Sequence, residues 1–258
     1  MLKELSSLCR YYNIEGKLFV FRPYKSKKEL LAEWVIQNGL TTGQLKEGQA
    51  IAEITAGNFG IALAEQCKKI KSPLYLVPLG DFPQRITDKL SSFDNVIIVH
   101  SSHNRNPLCL KEKLEKVISK TGAYSFRQFD NDKQIVFYKQ LIQNKLNNIT
   151  IDAVFEKAGT GATLQSIKEI LHDSNSNPKF FIAKPDARQI ETAHMILSLD
   201  GVEQTYPEDR NEYKHNFEKV LEQTENLTNL HYSKLSLFCA VEWLKKNPNK
   251  TAFVFIGD

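Results

Sequence analysis

Short runs of aliphatic, β-branched and aromatic residues alternate along this chain with longer stretches whose apolar positions recur at helical spacing. The runs Leu18–Phe21, Ala50–Ile54, Leu74–Val77, Val96–Val99, Ala153–Phe155, Phe180–Ala183 and Ala252–Ile256 predict strands. Between them, Lys27–Asn38 sets Leu31, Trp34 and Val35 on one helical face, and the same period runs through Gly60–Lys69, Leu110–Ser119, Lys133–Lys145, Thr163–His172 and Leu235–Lys246. Strands alternating with helices predict βαβ units and a mostly parallel sheet. The strands are nearly continuous apolar runs, as expected where both sheet faces are covered. Asn38-Gly39 predicts a left-handed stop for the first of these helices. The polar stretches Asp173–Pro178 and Glu203–Asn229 read as loops and a surface helix.

Composition adds exclusions. The chain has 258 residues, 41% hydrophobic and 25% charged, with a formal net charge of +4, which is ordinary for a globular protein. No apolar run reaches the roughly 18 residues of a membrane span. The N-terminal MLKELSSLCRYY has no signal-peptide core, so a cytoplasmic protein without a membrane partner is expected. Lysines and acids are interspersed, with no basic block interleaved with aromatics, so no nucleic-acid partner is expected. Cys9, Cys67, Cys109 and Cys239 form no CxxC pair and read as reduced thiols. His100 and His103 lack a third ligand at a usable spacing, and no metal is expected.

Two junctions carry candidate chemistry. A strand runs into Thr55-Ala56-Gly57-Asn58-Phe59-Gly60 and then a helix; another runs into Lys157-Ala158-Gly159-Thr160-Gly161-Ala162-Thr163 and then a helix. In open α/β sheets such loops lie at the carboxyl ends of strands, where ligands bind. Small residues at Gly159–Thr163 let backbone N–H groups approach an anion, and the helix that follows presents its positive end. This is a competent phosphate cradle, and equally a tight turn for strand–helix packing. It is neither a Walker loop nor GxGxxG. Thr55–Gly60 reads as a turn or as a close approach to a ligand. In Pro23-Tyr24-Lys25-Ser26-Lys27-Lys28-Glu29 a lysine falls in the first turn of a helix. The helix dipole there works against the ammonium form, which suits a nucleophilic amine. Three lysines in four residues also fit a solvated patch.

Together these segments resemble the fold-type II pyridoxal-phosphate (PLP) enzymes, in particular their cysteine synthase and cystathionine β-synthase branch. The family's Pro-x-x-Ser-x-Lys-Asp-Arg segment, which carries the PLP lysine, is matched at Pro23, Ser26 and Lys28, with Glu29 and Leu30 in place of Asp-Arg. Its Thr-Ser-Gly-Asn-Thr-Gly loop is matched by Thr55–Gly60, and Lys28 and Asn58 are 58 − 28 = 30 positions apart, about the family separation. Gln128-Phe129-Asp130-Asn131 resembles its Gln-Phe-x-Asn, and Gly159–Thr163 its Gly-Thr-Gly-Gly-Thr phosphate loop. The four motifs occur in family order and cover roughly Leu18 to Leu171.

The resemblance implies two open α/β lobes of the tryptophan synthase β-like fold with PLP in the cleft. The larger lobe is expected over 1–39 plus 146–258 and a smaller mobile lobe over 40–145. It implies Lys28 as the Schiff-base lysine, Asn58 at the cofactor ring, and Gly159, Thr160, Gly161, Ala162 and Thr163 at the phosphate. Thr55, Ala56, Gly57, Phe59 and Gln128 would face the substrate. The C-terminal third matches less well. There Tyr232-Ser233-Lys234 stands where the family has Ser-Ser-Gly, making Ser233 the candidate partner of the pyridine nitrogen. The chain stops at Asp258, where the family continues into a Pro-Asp-Ser-Gly-like segment. The implied activity is β-replacement or β-elimination on a small amino acid such as serine, cysteine or an O-acylserine, by a homodimer. Ala56 and Phe59 replace hydroxyl residues of the family loop, so a binding or regulatory protein with little turnover stays open, as does an unrelated nucleotide-binding α/β module.

Overall fold

The computed structural model describes residues 1–100, 106–130, 132–157, 159–173, 177–184, 200–230 and 233–257. His103, Asn131, Ala158, Tyr232 and Asp258 lie outside these, as does part of the Asp173–Pro178 loop. The chain divides into two compact units, Met1–Ser26 with Asp132–Asp258, and Lys27–Asn131.

In the first unit, strands β1 (Leu2–Glu4), β2 (Lys17–Phe21), β6 (Ala153–Glu156), β7 (Lys179–Ala183), β8 (Val202–Thr205) and β9 (Thr251–Phe255) form one sheet in the order β1-β2-β9-β6-β7-β8. Among the described residues of this sheet, β1–β2 is antiparallel and the other pairs are parallel, with Phe19 opposite Phe253 and Phe253 opposite Val154. Every residue of β6 is buried, Glu156 included. Helix α9 (Ser233–Lys246) packs on β9 and β6. Its Phe238, Val241 and Leu244 join Leu18, Val20, Phe155, Phe181 and Val254 in the core. Phe155 and Phe181 stack with centroids 4.6 Å apart, and Trp243 meets Phe155 edge-on at 6.0 Å. Each such pair adds about 0.5–1.5 kcal/mol beyond area burial. Helices α1 (Ser6–Tyr11) and α8 (Phe217–Glu225) pack together, and a π-helical turn, Glu212–Asn216, leads into α8. Helix α6 (Lys133–Leu146) lies on α7 (Ala162–Asp173).

In the second unit, β3 (Ile51–Thr55), β4 (Leu74–Pro78) and β5 (Val96–Ile98) form a parallel sheet in that order, with α3 (Asn58–Lys69) and α4 (Gln84–Ser91) as crossovers. Helix α5 (Pro107–Thr121) covers it, packing Leu110, Leu114 and Val117 on Ala52, Ile54 and Val77. Its start is capped by Asn106, whose side chain accepts the N–H groups of Leu108 at 3.0 Å and Cys109 at 3.3 Å. It stops at Gly122, φ 64°.

One expectation needs correction. Helix α2 runs over Lys27–Thr41 and passes through Gly39 rather than stopping there. A Cβ on Gly39 would sit 2.9 Å from Leu45 Cβ, so this glycine serves close packing and not a left-handed cap. The boundaries between the two compact units fall before α2 and before α6. The reason is packing: α2 lies on α3 and α6 on α7, so each helix belongs with the segment that follows it.

Candidate active site

The residues singled out above divide between the two units. The second holds Lys28, Thr55–Gly60 and Gln128; the first holds Gly159–Thr163 and Ser233.

In the second unit, β3 ends at Thr55 and α3 begins at Asn58, so the turn between them is two residues long. The Thr55 hydroxyl closes that turn by accepting the backbone N–H groups of Gly57 and Gly60, each at 3.1 Å. Gly57 has φ 130°, and a Cβ there would meet Ile86 Cγ2 at 2.9 Å, so glycine is needed for backbone and space alike. At Gly60 a Cβ would meet Thr55 Cγ2 at 2.9 Å. Ala56 is exposed at the tip and Asn58 is half-buried. Phe59 is 2% exposed, and Lys28 Nζ lies 5.4 Å from its ring centroid, within cation–π range. Lys28 sits in the first turn of α2, as its place in the sequence predicts.

Gln128 is also buried. Its Nε2 donates to Ile54 O at 2.6 Å, and its backbone N–H donates to Glu53 Oε1 at 3.1 Å. Glu53 was missed by the sequence reading, where it passes for an interruption in an apolar strand. Burial pushes its carboxyl up, against the pull of the Gln128, Arg127 and Ile54 N–H donors, to about 7.

In the first unit, β6 leads into the small-residue loop and α7 begins at Ala162. Gly161 has φ 85°. A Cβ on Gly159 would meet nothing within 4 Å, so that backbone is open to a ligand. Thr160 Oγ1 accepts the Ala162 N–H at 3.4 Å, capping the helix. The Thr163 hydroxyl bonds Tyr138, whose phenol burial pushes far up. Ser233 begins α9, and its Oγ accepts the Gly257 N–H at 3.2 Å, just past β9. The cradle therefore follows β6, and Ser233 is bonded to a residue just past β9, the neighbouring parallel strand of the same sheet. Lys184, buried at the end of β7, also escaped the sequence reading.

Taken unit by unit, these residues offer groups that suit pyridoxal phosphate. Gly159–Thr163 offers a phosphate monoester an open backbone, a helix N-terminus and threonine hydroxyls, Lys28 offers a primary amine, and Asn58 an amide at the start of α3. Among the described residues no His, Cys, Asp and Glu cluster could hold a metal, and no helix is long and apolar enough to cross a membrane. The cysteines are free, Cys9, Cys67 and Cys239 buried, with burial pushing the Cys67 and Cys239 thiols up to about 12.

These loops fit the fold-type II class, and the comparisons with known proteins agree. The pyridoxal-phosphate dependent enzyme family model matches residues 7–215, and the chain belongs to that family. Pyridoxal phosphate is accordingly its cofactor. Cysteine synthase of Staphylococcus aureus is 25% identical over 180 residues, 67% of this chain and 57% of that protein. The O-acetylserine dependent cystathionine beta-synthase of Bacillus subtilis is 25% identical over 177 residues, again 67% and 57%. The chain thus matches little more than half the length of these relatives. The solved structure of O-ureido-L-serine synthase superposes with TM-score 0.80 at 17% identity, covering 100% of this chain and 88% of that one.

Proposed function

We propose that the chain catalyses β-replacement or β-elimination on a small amino acid of the O-acylserine type. The observation that carries this is the Thr55–Gly60 turn. It is closed on the Thr55 hydroxyl and opens α3 at Asn58, in a chain 25% identical to a cysteine synthase. When bound, pyridoxal phosphate supplies the electron sink for the pair left on Cα. The protein's part is positioning and proton transfer. Lys28 would hold the cofactor, and its amine would serve as the base for the Cα proton. Asn58 orients the ring, Gly159, Thr160, Gly161, Ala162 and Thr163 bind the phosphate, and Ser233 faces the ring nitrogen. Thr55 shapes the loop that, with Gln128, receives the substrate carboxylate. Ala56 and Phe59 bring no hydroxyl to that pocket, which favours a substrate other than O-acetylserine or a slower reaction with it. A homodimer in the cytoplasm completes the reading.

The test is direct. The PLP-loaded protein is given O-acetyl-L-serine, O-phospho-L-serine, L-serine or L-cysteine, with and without sulfide, and leaving-group release is followed. Release from one of them supports the proposal. Cofactor binding without release from any favours a binding or regulatory protein, the second reading, to which Ala56 and the Lys28–Phe59 contact point.

A further inference from the structure

Glu53 is a carboxylate placed inside a sheet, 1% exposed, where an apolar residue would cost less. Its partners explain it. An isolated bridge pairs β3 with the segment after α5: Tyr124 N–H donates to Ala50 O, and Ala52 N–H to Tyr124 O, both at 2.8 Å. Further along, the Glu53 side chain takes over. Oε2 accepts the Arg127 N–H at 2.9 Å, and Oε1 accepts those of Gln128 at 3.1 Å and Ile54 at 3.2 Å. Arg127 is held at φ 58°, the left-handed region that non-glycine residues seldom occupy. Two consecutive N–H groups thus converge on one carboxylate across a strained turn. Its guanidinium is directed elsewhere, to Glu115 at 2.8 Å. The residue delivered by this turn is Gln128, whose amide is anchored on Ile54 O, one residue from Thr55.

We propose that Glu53 is a positioning residue: by clamping the backbone of Arg127 and Gln128 it sets the Gln128 amide beside the Thr55–Gly60 loop, and so shapes the pocket for a substrate carboxylate. This rests on the functional reading above for the identity of the ligand, and on the geometry alone for the clamp.

Glu53→Gln in the full chain tests it, because an isosteric amide turns an N–H donor towards N–H donors. Amide exchange at Arg127 and Gln128 is predicted to accelerate by about tenfold or more, as expected when a buried donor loses its acceptor. In the PLP-loaded protein, the affinity for L-serine, read from its perturbation of the cofactor spectrum, should fall by a similar factor. The affinity for PLP itself should change by less than about twofold. A merely structural role would weaken both together. Unchanged exchange overturns the clamp; faster exchange with L-serine affinity intact overturns the positioning role. A wild-type chain that takes up no PLP overturns the functional reading, and the exchange rates still decide the clamp. If Glu53→Gln does not fold, Gln128→Ala replaces it: L-serine affinity must fall while exchange at Arg127 stays slow, and unchanged affinity overturns the proposal.

Discussion

The Lys28 ammonium lies 5.4 Å from the centroid of the Phe59 ring. The family pattern at position 59 has threonine; here the Lys28 amine meets a buried aromatic ring. Phe59→Thr is predicted to raise affinity for O-acetyl-L-serine, and Ala56→Ser with it further, since one restored donor to a carboxylate is worth about 1.5–3 kcal/mol. Titration of the loaded variants against wild type checks this. No gain in either variant would show that these positions do not set the substrate.

Thr55→Val should destabilise the second unit. It keeps the shape of the side chain but removes the acceptor for the Gly57 and Gly60 N–H groups. Each buried donor left unsatisfied costs about 1–3 kcal/mol. Thr55→Ser keeps the acceptor and should lose much less. Denaturant midpoints of the two variants give the comparison.

Gly57→Ala is predicted to be worse than an ordinary loop substitution, because φ 130° and the 2.9 Å approach of Ile86 Cγ2 act together. Adding Ile86→Ala relieves only the contact. The double variant should therefore recover part of the lost stability; full recovery would mean that the backbone conformation costs nothing.

Stability should depend on pH through Glu53. Burial, partly offset by backbone donors, raises its carboxyl from 4.5 to about 7. A raised acid contributes stability that is complete below its unfolded value and is lost as pH climbs through the folded one. The nearby Tyr124 phenol is raised by burial and then by the Glu53 charge. The advantage of wild type over Glu53→Gln should thus shrink between pH 4.5 and 7, by at most about 1.4 kcal/mol per pH unit. Denaturation of both proteins across that range measures it, and a constant difference would contradict it.

Much of the fold was legible because buried parallel strands are apolar on both faces. Leu74–Val77 and Ala153–Phe155 each extend by one residue in the structure, to Leu74–Pro78 and Ala153–Glu156. The elements missed were short or polar. Helix α4, QRITDKLS, buries only Ile86 and Leu90, β8 is a partly exposed edge strand, and β1 has three residues. Gly39 misled because a glycine after asparagine signals a left-handed stop, and nothing local announces Leu45 as its packing partner. The candidate site was legible as motifs. Its Glu53 support was not, since the side chain acts on amides 74 and 75 positions away. Only folding brings those amides to a strand residue that otherwise looks out of place.

The central claim is that Lys28 carries the cofactor. The purified chain is incubated with pyridoxal phosphate, reduced with borohydride, digested and analysed by peptide mass. The predicted result is the cofactor's mass fixed on Lys28, with Lys28→Ala showing neither the label nor the visible absorbance band of lysine-bound cofactor. A label on another lysine, or a wild-type chain that takes up no pyridoxal phosphate, would contradict the account.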